Sequence, residues 1–139
     1  MASQPTLTPL LLDTHAWVWW LTRPEKLSRR QRMAIERVRH SRRGPLLVSI
    51  ISCWEVALLA HRGRLRFSIS ASSWLEQAAH LPGIEVVPLS IAIVAAAVRL
   101  DRLRDPADQL VVATALEHGA RVVTSDAAVA ASELVPVIG

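Results

Sequence analysis

Five acidic side chains occupy positions from which they could meet at one edge of a β-sheet. Asp13 follows the first short apolar segment that predicts a strand, and Asp126 follows the fourth. Asp105 and Asp108 open a predicted helix that leads into that fourth strand, and Glu55 comes one turn into a predicted helix after the second. Because ligands of open parallel sheets bind beyond the carboxyl ends of the strands, this edge is the predicted site.

Carboxylates crowded together repel one another unless a positive charge lies among them. Lys26 is the only lysine in the chain, so a divalent cation is the expected counter-charge. Oxygen ligands from Asp and Glu suit Mg²⁺ or Mn²⁺, which keep bound waters and bridge to phosphates. One or two such ions, about 4 Å apart when paired, can activate water and stabilise the leaving oxygen in phosphodiester cleavage.

The elements that must position these acids alternate along the chain. Short segments rich in Val, Ile and Leu predict buried parallel strands at Pro9–Leu12, Leu46–Ser49, Ile84–Val87, Arg121–Thr124 and Leu134–Ile138. Helical patterns lie between them, so we predict an α/β fold with helices on both faces of a five-stranded parallel sheet. No repeat or long linker divides the chain, which predicts a single domain over residues 1–139.

Several predicted helices carry capping signals. Ser28–Gln31 and Ser52–Glu55 have the spacing of a capping box, and Asp105 stands before Pro106, as an N-cap before a first-turn proline. For an isolated motif, a cap is the better explanation of such an acid. Caps do not explain the two acids that end buried strands, where an unpaired charge is costly.

Charge is distributed unevenly along the sequence. Residues 23–66 contain 12 basic and three acidic residues, whereas residues 67–139 contain four basic and eight acidic ones. A basic region suits an anionic polymer, since each neutralised phosphate releases counterions, although a solvated helix surface explains any single arginine equally well. The candidates for contacting such a polymer are Arg29, Arg30, Arg39, Arg42 and Arg43.

The cellular compartment is predicted from cysteine content and hydropathy. Cys53 is the only cysteine and cannot form an intrachain disulfide, which favours a reducing compartment and hence the cytoplasm. No lysine or arginine precedes Arg23, and Asp13 and His15 interrupt the early apolar stretch, so no signal peptide is predicted. The longest apolar run, Ile91–Val98, is far short of the roughly 20 residues that cross a bilayer.

Four motifs resemble, in order and spacing, those of VapC-type PIN domains. They are LLLDTHA at Leu10–Ala16, SIISCWE at Ser49–Glu55, DPADQL at Asp105–Leu110 and TSD at Thr124–Asp126. The resemblance spans nearly the whole chain. It implies a three-layer α/β/α fold, Mg²⁺- or Mn²⁺-dependent endoribonuclease activity, and neutralisation by a cognate antitoxin protein. RNA would then be the polymer that the five arginines contact.

The resemblance also implies roles for four acids, Asp13, Glu55, Asp108 and Asp126. Asp13 and Asp108 are the foremost expected metal ligands, and Asp126 would reach the ion directly or through water. Glu55 would hold a second ion or orient the attacking water.

Three further residues are expected to support these four. Asp105 is expected to cap its helix, while Asp108, one turn further on, faces the metal. Thr14 and Thr124 are candidates for orienting the acids, because a hydroxyl can hold a ligating carboxylate in place.

Competing functions are fewer than the fold alone would allow. No phosphate-binding P-loop is present, a receiver domain would need a lysine after its last strand, and a haloacid-dehalogenase-like phosphatase would need an acid where His15 stands. The serious rival is a non-catalytic PIN-like module that binds RNA or a protein without cutting.

The five tryptophans and the apolar residues expected on the surface indicate which molecules the protein could bind. The tryptophans could stack RNA bases, but packing in the core, a dimer or an antitoxin groove explains most of them better. Surplus apolar surface predicts a homodimer with two-fold symmetry.

Overall fold

The computed structural model describes residues 8–41 and 44–139. In them, strands lie at Leu10–Leu12 (β1), Leu46–Ser49 (β2), Ile84–Val87 (β3), Arg121–Val123 (β4) and Val137–Ile138 (β5). The α-helices lie at Thr14–Thr22 (α1), Arg29–Ser41 (α2), Ile50–His61 (α3), Ala71–Ala79 (α4), Ile91–Ala97 (α5), Pro106–His118 (α6) and Ala127–Ser132 (α7). A short 3-10 helix, Pro24–Lys26, lies between α1 and α2.

The sheet is parallel throughout, with its strands in the order β3-β2-β1-β4-β5. Leu10 of the central strand β1 pairs with Leu46 of β2 on one side and with Arg121 of β4 on the other. Along the chain, β2 and β3 are added on one side of β1, and β4 and β5 are then added on the other side. The switch point therefore lies between β1 and β4, the two strands that Asp13 and Asp126 follow.

Helices cover both faces of this sheet, as predicted. Leu10 and Leu12 contribute to a core shared with α1 to α4, whereas Leu11 contributes to a core shared with α6 and α7. This alternation follows the two-residue period of a strand. Strands β1 and β2 are buried along their whole length, which agrees with their continuous apolar sequences. The five-stranded α/β/α architecture is confirmed.

Three strands are shorter than predicted, and the first of them, β1, begins at Leu10 rather than at Pro9. The fifth predicted strand was Leu134–Ile138, but β5 comprises only its last two residues. Pro136, just before β5, has no amide hydrogen to donate to the ladder, although its carbonyl accepts from Val122 N–H at 2.9 Å. Strand β4 ends one residue early, at Val123.

The predicted capping box at Ser28–Gln31 is confirmed. Ser28 N–H donates to the Gln31 side-chain oxygen at 2.9 Å, and Gln31 N–H donates to the Ser28 hydroxyl at 3.1 Å. The predicted N-cap at Asp105 is confirmed as well, since its carboxylate accepts from Ala107 N–H at 2.8 Å. Pro106 is the first residue of α6.

The predicted capping box at Ser52–Glu55 is wrong. Helix α3 begins at Ile50, immediately after β2, and its N-cap is Ser49, whose hydroxyl accepts from Ile51 N–H at 3.2 Å. Strand and helix are thus joined without a loop, which places Ser52 inside the helix and frees Glu55 for another role.

None of the helices in the described ranges is both long enough and apolar enough to cross a membrane.

Candidate functional site

A cavity of about 320 Å³ lies at the carboxyl ends of β1 and β4. All five acids predicted for the site line it. The lining residues are Asp13, Thr14, His15, Trp19, Glu55, Asp105, Asp108, Val111, Ser125 and Asp126. The structure therefore brings together side chains that are up to 113 residues apart in sequence, counted from Asp13 to Asp126.

Helix N-termini hold three of these acids in place. Asp13 accepts from Ala16 N–H at 2.8 Å at the start of α1, and Asp126 accepts from Ala128 N–H at 2.8 Å at the start of α7. Asp105 caps α6, as described above. The partial positive charge of a helix N-terminus stabilises a carboxylate there. Caps thus explain Asp13 and Asp126 in part, contrary to the expectation from sequence.

Glu55 is held by side chains from a different element. The Thr14 hydroxyl in the first turn of α1 donates to Glu55 Oε1 at 2.5 Å, and it also lies 3.0 Å from the buried Ser52 hydroxyl. Ser52 stands one turn before Glu55 on α3. The predicted orienting role of Thr14 therefore has its geometric basis in a contact to Glu55.

Thr124 links the two acids that follow β1 and β4. Its hydroxyl accepts from Asp126 N–H at 3.0 Å and hydrogen-bonds to the Asp13 carboxylate. The predicted contact of Thr124 with a site acid is present. Because Thr124 is buried, these bonds are protected from competition by water.

Gln31 supports the same loop, and sequence analysis missed this role. Its side-chain amide donates to the carbonyls of Thr124 and Ile138 at 3.1 and 3.2 Å, and to the Ser125 hydroxyl at 3.2 Å. Gln31 is fully buried. The only signal in the sequence was an amide residue at a capping-box position inside a strongly basic helix.

Electrostatic repulsion is strong in this cavity. The pKa of Asp108 is raised to about 7, first by burial and then by the negative charges of four neighbours, Asp126, Asp105, Glu55 and Asp13. Burial also raises the pKa of Asp13 and of Glu55, while hydrogen bonds from Thr124 and Thr14 respectively oppose the rise. The metal-free site therefore holds protons that isolated carboxyl groups would release.

Positive charge is scarce around these acids. Among the described residues that line the cavity there is no Lys or Arg, and His15 alone can carry a positive charge. As placed, no three His, Cys, Asp or Glu side chains of the described ranges converge closely enough to enclose an ion by themselves. An ion bound here would complete its coordination with water or substrate oxygens, which is how Mg²⁺ is commonly held.

Comparison with known proteins decides the family. Residues 10–132 match the family model of the PIN domain. The chain belongs to the PIN-domain family. The matched residues include every acid of the cavity, so the candidate site of this PIN domain lies wholly within the family region.

The relatives of this PIN domain agree in fold. It is 40% identical to Ribonuclease VapC22 of Mycobacterium tuberculosis over 121 residues, which cover 86% of this chain and 88% of the relative. VapBC2 from Rickettsia felis, solved bound to a promoter DNA fragment, superposes with a TM-score of 0.69 at 14% identity, covering 94% and 98% of the two chains. A toxin-antitoxin complex from Klebsiella pneumoniae gives 0.61 at 17% identity, covering 94% and 96%.

The three predicted RNA-binding arginines that the structure describes, Arg29, Arg30 and Arg39, do not line the cavity of this PIN domain. Arg29 and Arg30 are exposed on the first turn of α2. Arg39 is engaged within the same helix, 3.8 Å from Glu36, and it lies over the Trp20 ring at 5.6 Å from the centroid. The remaining two, Arg42 and Arg43, lie outside the described residues.

Proposed function

We propose that this PIN domain is a divalent-metal-dependent endoribonuclease and the toxin component of a type II toxin-antitoxin pair. One observation carries the proposal: five carboxylates border a single cavity that no Lys or Arg of the described residues lines. The 40% identity to a ribonuclease over most of both chains supports RNA as the substrate.

The donor set fits Mg²⁺ or Mn²⁺. All the charged donors are carboxylates apart from His15, and hard oxygen ligands are what these ions select. Asp13, Asp108 and Asp126 would hold the ion. When bound, it would supply a nucleophilic water at neutral pH and stabilise negative charge on phosphate oxygens.

The protein's own groups orient the reaction. Glu55 Oε1 is fixed by the Thr14 hydroxyl, which leaves its other oxygen for a water molecule in the cavity. The raised pKa of Glu55 makes this carboxylate a better proton acceptor than an exposed one, so it suits removal of a proton from attacking water. Asp13 is fixed in the same manner by Thr124 and by the N-terminus of α1.

RNA would approach across a basic surface. Arg29 and Arg30 are exposed at the start of α2. This end of the helix lies next to β5, since its capping residue Ser28 contacts Gly139, the residue that follows β5. Their charges can neutralise phosphates remote from the cleaved bond. We assign a smaller contribution to Arg39, because Glu36 and Trp20 already engage it.

The same proposal includes partners and location. A cognate antitoxin that inhibits the nuclease is supported by the toxin-antitoxin structures with which the chain shares its fold. A homodimer and a cytoplasmic location stay predictions, resting on exposed apolar residues of α5 and on the single cysteine.

The decisive experiment is cleavage of a panel of tRNAs and synthetic single-stranded RNAs with Mn²⁺, with Mg²⁺ and with EDTA. We expect cutting that requires the metal and that falls at least about a hundredfold in Asp13→Asn, since even residues that only support metal ligands contribute 10–100-fold. Asparagine caps helices as well as aspartate does, so this variant keeps the start of α1 and loses only the charge.

Asp101→Asn is the matched control. Asp101 is exposed and outside the cavity, so the Asp101→Asn variant should cleave RNA as fast as the wild type does. RNA binding without cutting, in every metal, would instead establish the non-catalytic module as the function.

A further inference from the structure

Trp19 forms part of the wall of the carboxylate cavity. Its side chain is half-buried and packs against the core between the sheet and α1 to α4, which holds the indole in position. Asp13, the N-cap of the same helix, precedes it by six residues. A flat and rigid aromatic surface therefore borders the negatively charged cavity.

Two exposed side chains lie next to this indole. The chain's only lysine, Lys26, places its Nζ over the face of the Trp19 ring, 5.5 Å from the centroid. The His15 ring, one helical turn earlier and also in the cavity wall, has its centroid 5.5 Å from that of Trp19 at an interplanar angle of 53°. A positive charge thus lies over an aromatic surface that borders a carboxylate site, which would otherwise repel phosphate.

The other four tryptophans have different environments. Trp17 and Trp74 are buried and contact each other at 5.2 Å between ring centroids. Trp20 packs against the same core as Trp19 and likewise lies beneath a cation, Arg39, but it is absent from the cavity lining. Trp54 is 56% exposed on α3 and is likewise outside the cavity. Trp19 alone of the five combines an aromatic surface with the carboxylates.

We propose that Trp19 is a stacking platform for one unpaired nucleobase of the RNA, next to the phosphodiester bond that is cut. The inference rests on the proposed ribonuclease function and adds a specificity-determining residue to it. A nucleotide is the ligand class that matches the surroundings, because it joins a flat aromatic base to a phosphate. The base would take the place of the exposed Lys26 ammonium on the indole face, and the displaced ammonium would contact the phosphate of the same nucleotide.

Stacking on a protein aromatic would confer a preference for structure rather than for sequence. Every base has a π-face, so the platform accepts all four bases, and each stacked base strengthens binding by roughly tenfold. A base within a duplex is already stacked between its neighbours, whereas bases in loops and single strands can be splayed onto an aromatic side chain. The platform would therefore direct cleavage to unpaired segments.

The test uses a short single-stranded RNA of mixed sequence and a set of copies in which one nucleotide at a time is replaced by an abasic unit. Cleavage is measured as KM and kcat with Mn²⁺ for the full-length chain. Binding of the same RNAs is measured by fluorescence anisotropy in the Asp13→Asn background, in which cutting is expected to stop.

For the wild type, we expect an abasic unit at one position beside the cut bond to raise KM and Kd roughly tenfold, with kcat changed by less than about twofold. In Trp19→Leu the intact RNA should bind about as weakly as that abasic RNA does to the wild type, and the abasic unit should cause no further loss. Trp19→Phe, which keeps an aromatic ring, should retain part of the preference.

Trp20→Leu is the matched control. It removes an indole from the same helix and the same core, together with a cation–π contact, but not from the cavity wall. It should show the wild-type response to the abasic unit, and its thermal midpoint should fall about as much as that of Trp19→Leu.

The alternative outcomes are distinct. The stacking proposal would be overturned if the abasic unit weakened binding equally in the wild type and in Trp19→Leu. It would also be overturned if Trp20→Leu lost the response to the abasic unit. Neither result would contradict the proposed ribonuclease function. If the wild type cuts no RNA with any metal, the proposed function fails, and the anisotropy measurements alone then decide whether Trp19 stacks a base.

Discussion

Asp108 shows how the site changes the chemistry of a single residue. Its pKa of about 7 means that, when no metal is bound, this carboxyl group keeps its proton well above the pH at which an ordinary aspartate releases it. Burial is the first cause and the neighbouring carboxylates are the second. Folding brings these groups together, so the folded protein holds a proton that the unfolded chain would release.

This shift predicts that the metal-free protein loses stability as pH rises from about 4 to about 7. In that range the unfolded chain has already released the Asp108 proton and the folded chain still binds it, so the free energy of unfolding falls with increasing pH. Asp108→Asn removes the titrating group. Thermal midpoints measured against pH in EDTA should therefore decline less steeply in Asp108→Asn than in the wild type.

Asp101→Asn again serves as the control, because Asp101 is exposed and away from the cavity. Identical slopes for Asp108→Asn and the wild type would contradict the electrostatic account of the cavity. Addition of Mg²⁺ should raise the midpoint of the wild type, since an ion that binds only the folded state stabilises it.

At the scale of elements, Gln31 ties α2 to the ends of β4 and β5. Its partners at Thr124 and Ile138 are 93 and 107 residues later in the sequence. Strand β5 has only two residues, so its own ladder is short. A buried amide that satisfies carbonyls of both strand ends therefore holds the loop that carries Ser125 and Asp126 into the cavity.

We expect Gln31→Ala to lower the free energy of unfolding by about 3 kcal/mol. The variant leaves buried carbonyls without donors and opens space in the core, and each of these effects is destabilising. Urea unfolding measures the change. Gln77→Ala, at an exposed position of α4, should stay within about 0.5 kcal/mol of the wild type, and a similar small effect at Gln31 would show that the network is dispensable.

For the molecule as a whole, α5 presents an unusual apolar surface. Ile91 and Val94 of α5 are 89% and 46% exposed, and Val98, the C-cap residue of this helix, is 69% exposed. Their spacing of three and four residues places them on one side of the helix. The opposite side packs on α6 through Ile93 and Ala97. A stripe of exposed aliphatic side chains on a helix is typical of an interface between protein chains.

The homodimer prediction is tested at this stripe. Ile91→Glu combined with Val98→Glu should shift the protein toward the monomer in analytical ultracentrifugation, because charges in an apolar interface lose hydration without gaining a partner. Met33→Glu, at a residue 60% exposed on α2, changes the charge of another apolar surface position and should leave the mass unchanged. A wild type that sediments as a monomer would refute the dimer.

Local sequence signals were sufficient for the architecture. Apolar segments of four or five residues separated by helical patterns predict a parallel sheet covered on both faces, because strands buried on both faces are continuously apolar and parallel strands are joined by crossover helices. The position of the acids was predicted from the same strand pattern, since residues that follow parallel strands meet at one edge of the sheet. The ends of helices and strands were predicted less accurately. Ser52–Glu55 was wrongly predicted as a capping box because Ser49 and Ser52 are both suitable N-cap residues. The position at which β2 passes directly into α3 makes Ser49 the N-cap.

The amino-acid sequence by itself determined the layers of the fold and the set of acids, since both follow from residue type and spacing. The contacts that hold the site follow from the tertiary structure alone: Thr14 with Glu55, Thr124 with Asp13, and Gln31 with the strand ends. The same holds for Trp19, which borders the cavity while Trp20 does not. These contacts depend on how elements distant in sequence are oriented in space, and that orientation is set by packing of the whole core.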